Sequence, residues 1–231
     1  NYLKKIRYIK EHYNQGNNHK FECDIYKDKF KINEIENFIS DEECDYIINL
    51  GKSKLKRSET SSEGTRKTLM RTSKGHFFKK KIINNDLILS ELSKKIEEIT
   101  GYPRSHQEAF QLLKYNVGEY YLQHYDTCRP DDSFCLEDNF KKNNGRRVIS
   151  LFIYLNTVES GGETSFPNYG KKVKPLKGKC IMWENVRHNS INACSLHCGE
   201  PPESGIKWGL TVWIRESPWN LPVLTPVEKI K

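Results

Sequence analysis

The sequence HYD at residues 124–126 places an imidazole and a carboxylate one residue apart. In a β-strand the side chains of residues i and i+2 point to the same face, so His124 and Asp126 would project together. Both side chains bind divalent metal ions, and a metal site built on them needs at least one further ligand. The spacing therefore indicates part of a metal site whose missing ligand must come from elsewhere in the chain.

Two downstream histidines, His188 and His197, are candidates for that ligand. His197 lies in the segment LHCGEPP, and Lys207 follows it by ten residues at the start of a predicted strand. Two imidazoles and one carboxylate form the triad of non-haem Fe(II) sites, which leaves positions open for a cosubstrate and dioxygen. The strand and the cation that follow His197 favour it as the third ligand, with His188 as the alternative.

The composition is that of a folded chain. At 231 residues and 27.1 kDa the chain is long enough to bury a large core without structural disulfides or metal. A hydrophobic content of 36% excludes a disordered protein. No run of about eighteen apolar residues predicts a membrane span. Because the sequence starts at Asn1 rather than Met, we expect any targeting segment to lie outside it, and the secretory pathway is one option for the compartment.

The formal net charge of +8 raises the question of nucleic-acid binding. The lysines, however, are scattered through segments such as FKKKIINND and FKKNNGRR instead of forming a stripe interleaved with aromatic residues. We interpret them as a solvated surface, and no nucleic-acid partner is expected.

The seven cysteines include no CxxC pair, which argues against a zinc ribbon or a thioredoxin-like site. In an oxidising compartment, Cys128 with Cys135 and Cys194 with Cys198 could each close a small loop. Free buried thiols are an equally good interpretation, so the pairing stays open.

Two amphipathic helices are predicted in the first half of the chain. The first follows Ser40, with a capping box to Glu43, an apolar stripe of Cys44, Ile47 and Ile48, and Gly51 as a left-handed stop. The second runs from about Asp86 to Thr100 and ends at Gly101. Its predicted buried face comprises Ile88, Leu92, Ile96 and Ile99.

After residue 105 the pattern becomes β. Five segments rich in aromatic and β-branched residues predict strands: EAFQLLKYNV, EYYLQHYD, RRVISLFIYLN, GKCIMWEN and KWGLTVWIRE. Short strands at this spacing are typical of an antiparallel sandwich or jelly roll, here buttressed by the two helices. Residues 127–145 are polar and long for a hairpin connection, which predicts a mobile or functional loop.

Several of these segments together resemble one enzyme family. The stretches EAFQLLKYNVGEYYLQHYD, RRVISLFIYLNTVESGGETSFP, VKPLKGKCIMWEN and LHCGEPPESGIKWGLTVWIRE are similar to the catalytic domain of prolyl 4-hydroxylases. Upstream, RTSKGHF at residues 71–77 resembles the substrate-loop motif of that family. The resemblance implies a mainly β fold with supporting helices, a double-stranded β-helix core, and a 2-oxoglutarate-dependent dioxygenase activity of the procollagen-proline 4-dioxygenase kind.

The resemblance also implies cofactors and their ligands. Fe(II) would be bound by His124, Asp126 and His197, and Lys207 would pair with the distal carboxylate of 2-oxoglutarate, since a buried carboxylate needs a cation. Tyr115 and Thr211 resemble the hydroxyl donors to the same carboxylate. Dioxygen is the second cosubstrate, and ascorbate is expected to rescue oxidised iron.

A proline-rich or collagen-like polypeptide is the implied substrate, hydroxylated at proline to 4-hydroxyproline. An extended proline-rich segment has free carbonyl groups and exposed rings, which polar donors and aromatic faces can bind. The residues that the resemblance points to are Arg71, Ser73, Glu108, Tyr121, Arg147 and Trp213. The segment HCGEPP departs from the family, because Cys198 is displaced and Glu200 stands where a cysteine is usual. Arg215 likewise stands where some relatives carry histidine.

Three other functions are alternatives to prolyl hydroxylation. A peptidyl lysine hydroxylase would usually anchor 2-oxoglutarate with arginine, which Lys207 contradicts. A nucleic-acid demethylase of the same fold would suit the charge but not the RTSKGHF loop. A peptide-binding module without catalysis would need a broken triad. We therefore expect one catalytic domain over residues 1–231: an N-terminal support at 1–104, a β core at 105–218 and a tail at 219–231. Whether a partner subunit is needed stays open.

Overall fold

The computed structural model describes residues 22–58, 70–127 and 145–219. Three α-helices lie wholly within the described ranges: α1 Asp41–Gly51, α2 Lys80–Asn85 and α3 Leu87–Thr100. Short 3-10 turns are found at Lys27–Lys29, Lys52–Lys54, Arg104–His106 and Ala193–Ser195. No helix in the described ranges is both long and apolar enough to cross a bilayer.

The remaining elements are β-strands. In chain order they are β1 Asn33–Ile35, β2 Lys56–Arg57, β3 Lys74–Phe78, β4 Phe110–Tyr115, β5 Tyr121–His124, β6 Arg147–Tyr154, β7 Thr164–Phe166, β8 Lys171–Val173, β9 Cys180–Glu184, β10 Val186–Arg187, β11 Ser190–Ile191, β12 His197–Gly199 and β13 Lys207–Arg215. All their pairings are antiparallel. The predicted mainly β architecture with supporting helices is confirmed.

The strands form two facing sheets and a small hairpin. The large sheet has the order β1-β9-β6-β13-β4-β3-β2, the smaller one β5-β12-β7-β8, and β10 pairs with β11. Thus β1, β2 and β3, which come from the first half of the chain, extend the large sheet at both edges. The large sheet carries Lys207 on β13, and the smaller sheet carries His124 and His197.

Alternation along the strands gives the large sheet two apolar faces. On one face Leu112 of β4 is fully buried in the core that the helices cover, with Ile47 of α1 and Leu92 of α3. On the other face Leu113 lies in a second core together with Phe166 of the smaller sheet. The catalytic residues predicted above lie in the space between the two sheets.

The helix boundaries follow the predicted caps, with one correction. Ser40 accepts the backbone N–H of Glu43, whose carboxylate accepts the Ser40 N–H, so the capping box of α1 is confirmed. The left-handed stop at Gly51 is wrong, since its φ is −114°. Glycine is needed there for packing, because an added Cβ would lie 2.5 Å from Leu112 Cδ2.

Helix α3 has the predicted bounds and ends at Gly101 with φ 71°, and the side chain of Asp86 caps its start. Its buried face is rotated from the predicted stripe, since Leu89 is fully buried while Ile99 is 36% exposed. Ser93 replaces an apolar residue on this face and donates a hydrogen bond to Gln107.

A disulfide joins Cys23 to Cys194, and both residues are buried. The proposed Cys194–Cys198 loop is therefore wrong. The 3-10 turn Ala193–Ser195 directs Cys194 toward the N-terminal segment, whereas Cys198 lies on β12 and donates its thiol hydrogen to Glu200. The alternative pair, Cys128 with Cys135, lies outside the described residues, as does most of the predicted loop at 127–145.

Candidate metal and cosubstrate site

Three predicted metal ligands lie together between the sheets. His124 ends β5 and His197 begins β12, and the two residues are directly opposite each other in the antiparallel ladder. Asp126 follows β5 by two residues. One ligand atom from each of His124, Asp126 and His197 lies within 4.8 Å of the others. The two Nε2 atoms are 3.6 and 3.5 Å from the Asp126 carboxylate oxygens, so three donors converge on one point.

Both imidazoles are oriented by backbone carbonyls. His124 Nδ1 donates to the carbonyl oxygen of Leu122 at 2.7 Å, and His197 Nδ1 donates to that of Ser195 at 2.9 Å. With Nδ1 as the donor, the lone pair available for a metal is on Nε2 of each ring, the atom that faces the cluster. Burial and the neighbouring His197 lower the pKa of His124 to about 3, so its ring stays neutral.

The Asp126 carboxylate is fixed by a buried polar chain. Ser150 Oγ on β6 donates to Asp126 Oδ2 at 2.6 Å, and Asn185 Nδ2 donates to Ser150 Oγ at 2.7 Å. Burial alone would raise the pKa of Asp126, but the neighbouring histidines, Arg147 and the Ser150 hydrogen bond together lower it to about 2. An ionised, oriented carboxylate beside two imidazoles that present Nε2 fits a 2-His-1-carboxylate iron site.

Ser150 should therefore support metal binding without contacting the metal. Ser150→Ala removes the hydroxyl that orients Asp126, and loss of such a supporting hydrogen bond typically weakens metal affinity about 10- to 100-fold. Titration of the metal-free protein with Mn²⁺ or Co²⁺ measures this directly. Ser53→Ala, in an exposed 3-10 turn, is the matched control and should bind as the parent does. Unchanged affinity in Ser150→Ala would contradict the role.

Lys207 is a buried cation without a counter-ion among the described residues. Its side chain is 1% exposed, and Nζ lies 5.2 to 5.5 Å from the ring centres of Tyr115, Phe152 and Tyr154. No carboxylate in the described ranges lies within ion-pair distance of Nζ. Burial lowers its pKa to about 7. A cation held in this way needs an anionic partner, which an incoming carboxylate can supply.

The metal cluster and Lys207 line the same cavity, of about 440 Å³ including space open to solvent. Nine of the predicted site residues line it: His124, Asp126, His197, Lys207, Tyr115, Thr211, Arg71, Tyr121 and Trp213. Ser73, Glu108 and Arg147 lie outside the lining. The cavity thus has ligand atoms for a metal at one place and a cation with hydroxyl groups at another, as a bound dicarboxylate requires.

Arg71 forms one wall of the cavity through a stack of side chains. Its guanidinium lies 4.6 Å from the ring centre of Tyr121, whose ring stacks on His124 at 3.5 Å. Arg71 Nε also donates to Ser73 Oγ at 2.9 Å, which places Ser73 behind Arg71. Burial raises the pKa of Tyr121 to about 12, so its hydroxyl keeps its proton.

Glu108, which is buried, and Arg147, which is partly buried, form an ion pair near the cavity. Glu108 accepts from Arg147 Nε and Arg215 Nε, each at 2.6 Å. The Arg147 guanidinium lies 3.7 Å from the ring centre of Trp213, which faces the cavity. Burial would raise the pKa of Glu108, but the two arginines outweigh it and lower the pKa. Glu108 and Arg147 are thus placed to position Trp213.

The other histidines lie elsewhere. His188 has φ 46° in the turn between β10 and β11, is exposed, and takes no part in the cavity. His76 lies on β3, and His106 Nδ1 bonds the carbonyl oxygen of Arg215. His12 and His19 are outside the described residues. The structure therefore brings His197, and not its rival, to the HYD pair.

Sequence reasoning missed the residues that support the cluster and Lys207. Ser150 and Asn185 hold Asp126, while Phe152 and Tyr154 surround Lys207. Ser150 had a signal, since it is a polar residue within the apolar segment RVISLFIY. The others had none, because their roles arise from pairing between β6 and distant strands.

A family model described as the 2OG-Fe(II) oxygenase superfamily matches residues 110–215, which include all three candidate ligands and Lys207. Two Arabidopsis thaliana relatives have the names "Probable prolyl 4-hydroxylase 10" and "Probable prolyl 4-hydroxylase 3". Each is 32% identical, over 78% and 80% of this chain and 66% and 69% of their own length. The chain thus spans about two thirds of these relatives.

Among solved structures, the chain is similar to a viral collagen prolyl hydroxylase from Paramecium bursaria Chlorella virus-1, crystallised as a 2OG complex. The TM-score is 0.64 at 29% identity, covering 80% of this chain and 96% of that protein. This likeness confirms the predicted double-stranded β-helix fold. The chain belongs to the prolyl 4-hydroxylase family of 2-oxoglutarate- and Fe(II)-dependent oxygenases.

Proposed function

We propose that this protein hydroxylates peptidyl proline to 4-hydroxyproline in proline-rich or collagen-like polypeptides, with succinate and carbon dioxide as co-products. The observation that carries the proposal is the shared cavity, in which the His124, Asp126 and His197 donors and the unpaired Lys207 ammonium face the same space. A metal triad with open positions needs a cosubstrate, and a buried cation without a counter-ion needs an anion. A 2-oxo dicarboxylate meets both needs in one molecule.

Each residue of the site has a distinct task in this reaction. The two Nε2 atoms and the Asp126 carboxylate would hold Fe(II), which supplies the activation of dioxygen coupled to oxidative decarboxylation of 2-oxoglutarate. Lys207, with the hydroxyl groups of Tyr115 and Thr211, would bind the distal carboxylate and so orient the cosubstrate. Burial of this end of the cavity excludes water, which strengthens the charge-assisted contact.

The peptide would enter past Arg71, Tyr121 and Trp213. Two aromatic faces and a guanidinium suit an extended proline-rich segment, since its ring packs on aromatic surfaces and its carbonyls accept hydrogen bonds. The viral structure's name as a collagen prolyl hydroxylase and the names of the Arabidopsis relatives support proline over lysine or a methylated base. Ascorbate is proposed as the reductant that restores oxidised iron.

A substrate panel tests the function. The protein, loaded with Fe(II) and supplied with 2-oxoglutarate and ascorbate, is incubated with proline-rich, collagen-like and lysine-containing peptides and with a methylated oligonucleotide. Succinate formation and peptide mass are followed together. We expect succinate and an oxygen gain with proline peptides. Turnover on the lysine peptide or the oligonucleotide alone would reject prolyl hydroxylation, and no succinate with any substrate would reject the enzyme class.

Affinity for 2-oxoglutarate should decrease as the pH rises through about 7, the pKa to which burial lowers Lys207. Below that pH the free protein has the ammonium that the distal carboxylate binds. Above it, Lys207 must first take up a proton, so affinity should fall by roughly tenfold per pH unit while the bound form stays protonated. Calorimetric titration of the Mn²⁺-loaded protein with 2-oxoglutarate at several pH values measures how steeply the affinity falls with pH. Lys207→Met should flatten this pH dependence, and an equal slope in that variant would refute the assignment.

A further inference from the structure

A second depression lies beside the catalytic cavity, at the edge of the large sheet where β2 and β3 pair. We call it the basic groove and define it by Lys54, Lys56, Arg57, Lys79, Phe77 and Gln111, which all line it. Its volume is about 1180 Å³, including space open to solvent. None of the described residues that line it is acidic. Lys54, Lys56 and Arg57 come from the segment KSKLKR, and β2–β3 pairing adds Lys79, which directly follows β3.

Three lysines of the groove are exposed and have no ion-pair partner among the described residues. Lys54, Lys56 and Lys79 are all exposed and form no ion pair with any carboxylate in the described ranges. Lys54 lies close enough to His76 to contribute, after burial, to lowering the pKa of that imidazole. Like charges gathered without counter-ions repel one another, and an anionic ligand would relieve that repulsion.

Two rows of cross-strand partners connect the groove to the catalytic cavity. Lys56 is opposite Gly75, and Gly75 is opposite Leu113, which lines the cavity. Directly opposed residues share one face of a sheet, so this row runs from the groove into the cavity on the side that faces the smaller sheet. An added Cβ at Gly75 would lie 3.0 Å from Ser58 Oγ and 3.1 Å from Leu113 Cδ2, so glycine allows this close packing.

The second row is Phe77, Gln111 and Thr211, in the same cross-strand order. Phe77 is 48% exposed in the groove, and Thr211 lines the cavity. Gln111 Oε1 also accepts from Arg71 Nη2 at 3.4 Å, so the groove and the wall of the cavity share a hydrogen bond. An extended chain with one residue in the cavity can therefore continue along this face into the groove.

We propose that the basic groove binds an acidic side chain of the polypeptide whose proline occupies the catalytic cavity. The preferred substrates are then proline-containing polypeptides with Asp or Glu near the reacting proline. Phe77 packs against the apolar part of the same segment, while Lys54, Lys56 and Lys79 surround the carboxylate. The inference rests on the proposed prolyl hydroxylation and adds to it the charge of the substrate.

Matched peptides test the inference. A proline-rich peptide carries Glu, Gln or Lys at successive positions on either side of the proline, and kcat/KM for hydroxylation is measured for each. At one position or more, we expect kcat/KM for the Glu peptide to exceed that for the Gln peptide by about fivefold or more, with the difference shrinking at high ionic strength.

The ratio of kcat/KM for the Glu peptide to that for the Gln peptide is then compared in the double variant Lys54→Glu/Lys56→Glu. There the ratio should fall below one, and the Lys peptide should become the best substrate. Both positions are exposed, and the ratio corrects for any loss of folded protein.

Lys94→Glu on α3 is the control, since this exposed lysine lies on the helix-covered side of the large sheet; its Glu/Gln ratio should equal that of the parent. Equal hydroxylation of Glu and Gln peptides at every position would overturn the acidic-side-chain inference and leave the proposed function standing. No hydroxylation of any peptide would overturn both. A groove that binds a single-stranded oligonucleotide and shows no preference among peptides would also overturn the inference.

Discussion

Alanine at His124, Asp126 or His197 is expected to abolish metal binding and turnover while the fold survives. Each change removes one of three converging donors, and a divalent ion held by two protein ligands binds far more weakly. We expect turnover to fall by on the order of a thousandfold or more, since no other group activates dioxygen. The three residues line a cavity instead of filling a core, so the melting temperature of the metal-free protein should change little.

Binding of Mn²⁺ and hydroxylation of a proline peptide are measured for each variant beside His188→Ala. His188 is an exposed imidazole in a turn and should behave as the parent protein does. Parent-like activity in any of the three ligand variants would refute the triad. If His188→Ala lost activity while His197→Ala kept it, His188 would be the third metal ligand in place of His197.

Lys207→Ala should mainly raise the requirement for 2-oxoglutarate. The change deletes a charge-assisted contact worth roughly 1.5 to 3 kcal/mol and leaves a buried carboxylate unpaired, so KM should rise about tenfold to 150-fold. Lys207→Arg should also raise the KM for 2-oxoglutarate. Its planar guanidinium is larger than the ammonium that Tyr115, Phe152 and Tyr154 enclose.

Lys114→Ala is the matched control for Lys207. Lys114 is next to Tyr115 on β4, the strand that pairs with the start of β13, but it faces the opposite side of the sheet, over Trp208. Its loss should leave the 2-oxoglutarate requirement unchanged. The same KM in Lys207→Ala as in the parent would reject Lys207 as the anchor, even with the metal triad intact.

Local patterns predicted the elements whose signals lie within a few residues. The Ser40 capping box and the Gly101 stop define helix ends through contacts three or four residues away, which the sequence displays directly. The long strands β4, β6 and β13 are runs of apolar and β-branched residues. Gly51 was misread because its glycine serves a tertiary contact with Leu112 and not a local turn.

Features that depend on distant pairing could not be predicted. Strands β7, β8 and β12 have three residues each, too few for a periodic signal. The partner of Cys194 is 171 residues away, and nothing near Cys194 identifies Cys23. The basic groove arises because β2–β3 pairing brings Lys54 and Lys56 beside Phe77. The roles of the substrate residues and the domain limits at residues 104 and 218 stay predictions.

Transfer of an oxygen atom from labelled dioxygen to proline tests the central claim most directly. The Fe(II)-loaded protein is incubated with 2-oxoglutarate and a proline-rich peptide under isotopically labelled dioxygen, and the peptide is hydrolysed for amino-acid analysis. The account predicts 4-hydroxyproline carrying the label, with one succinate formed per hydroxyl group and none of the product in His197→Ala. Labelled succinate without labelled hydroxyproline, or a hydroxyl group on any residue other than proline, would contradict it.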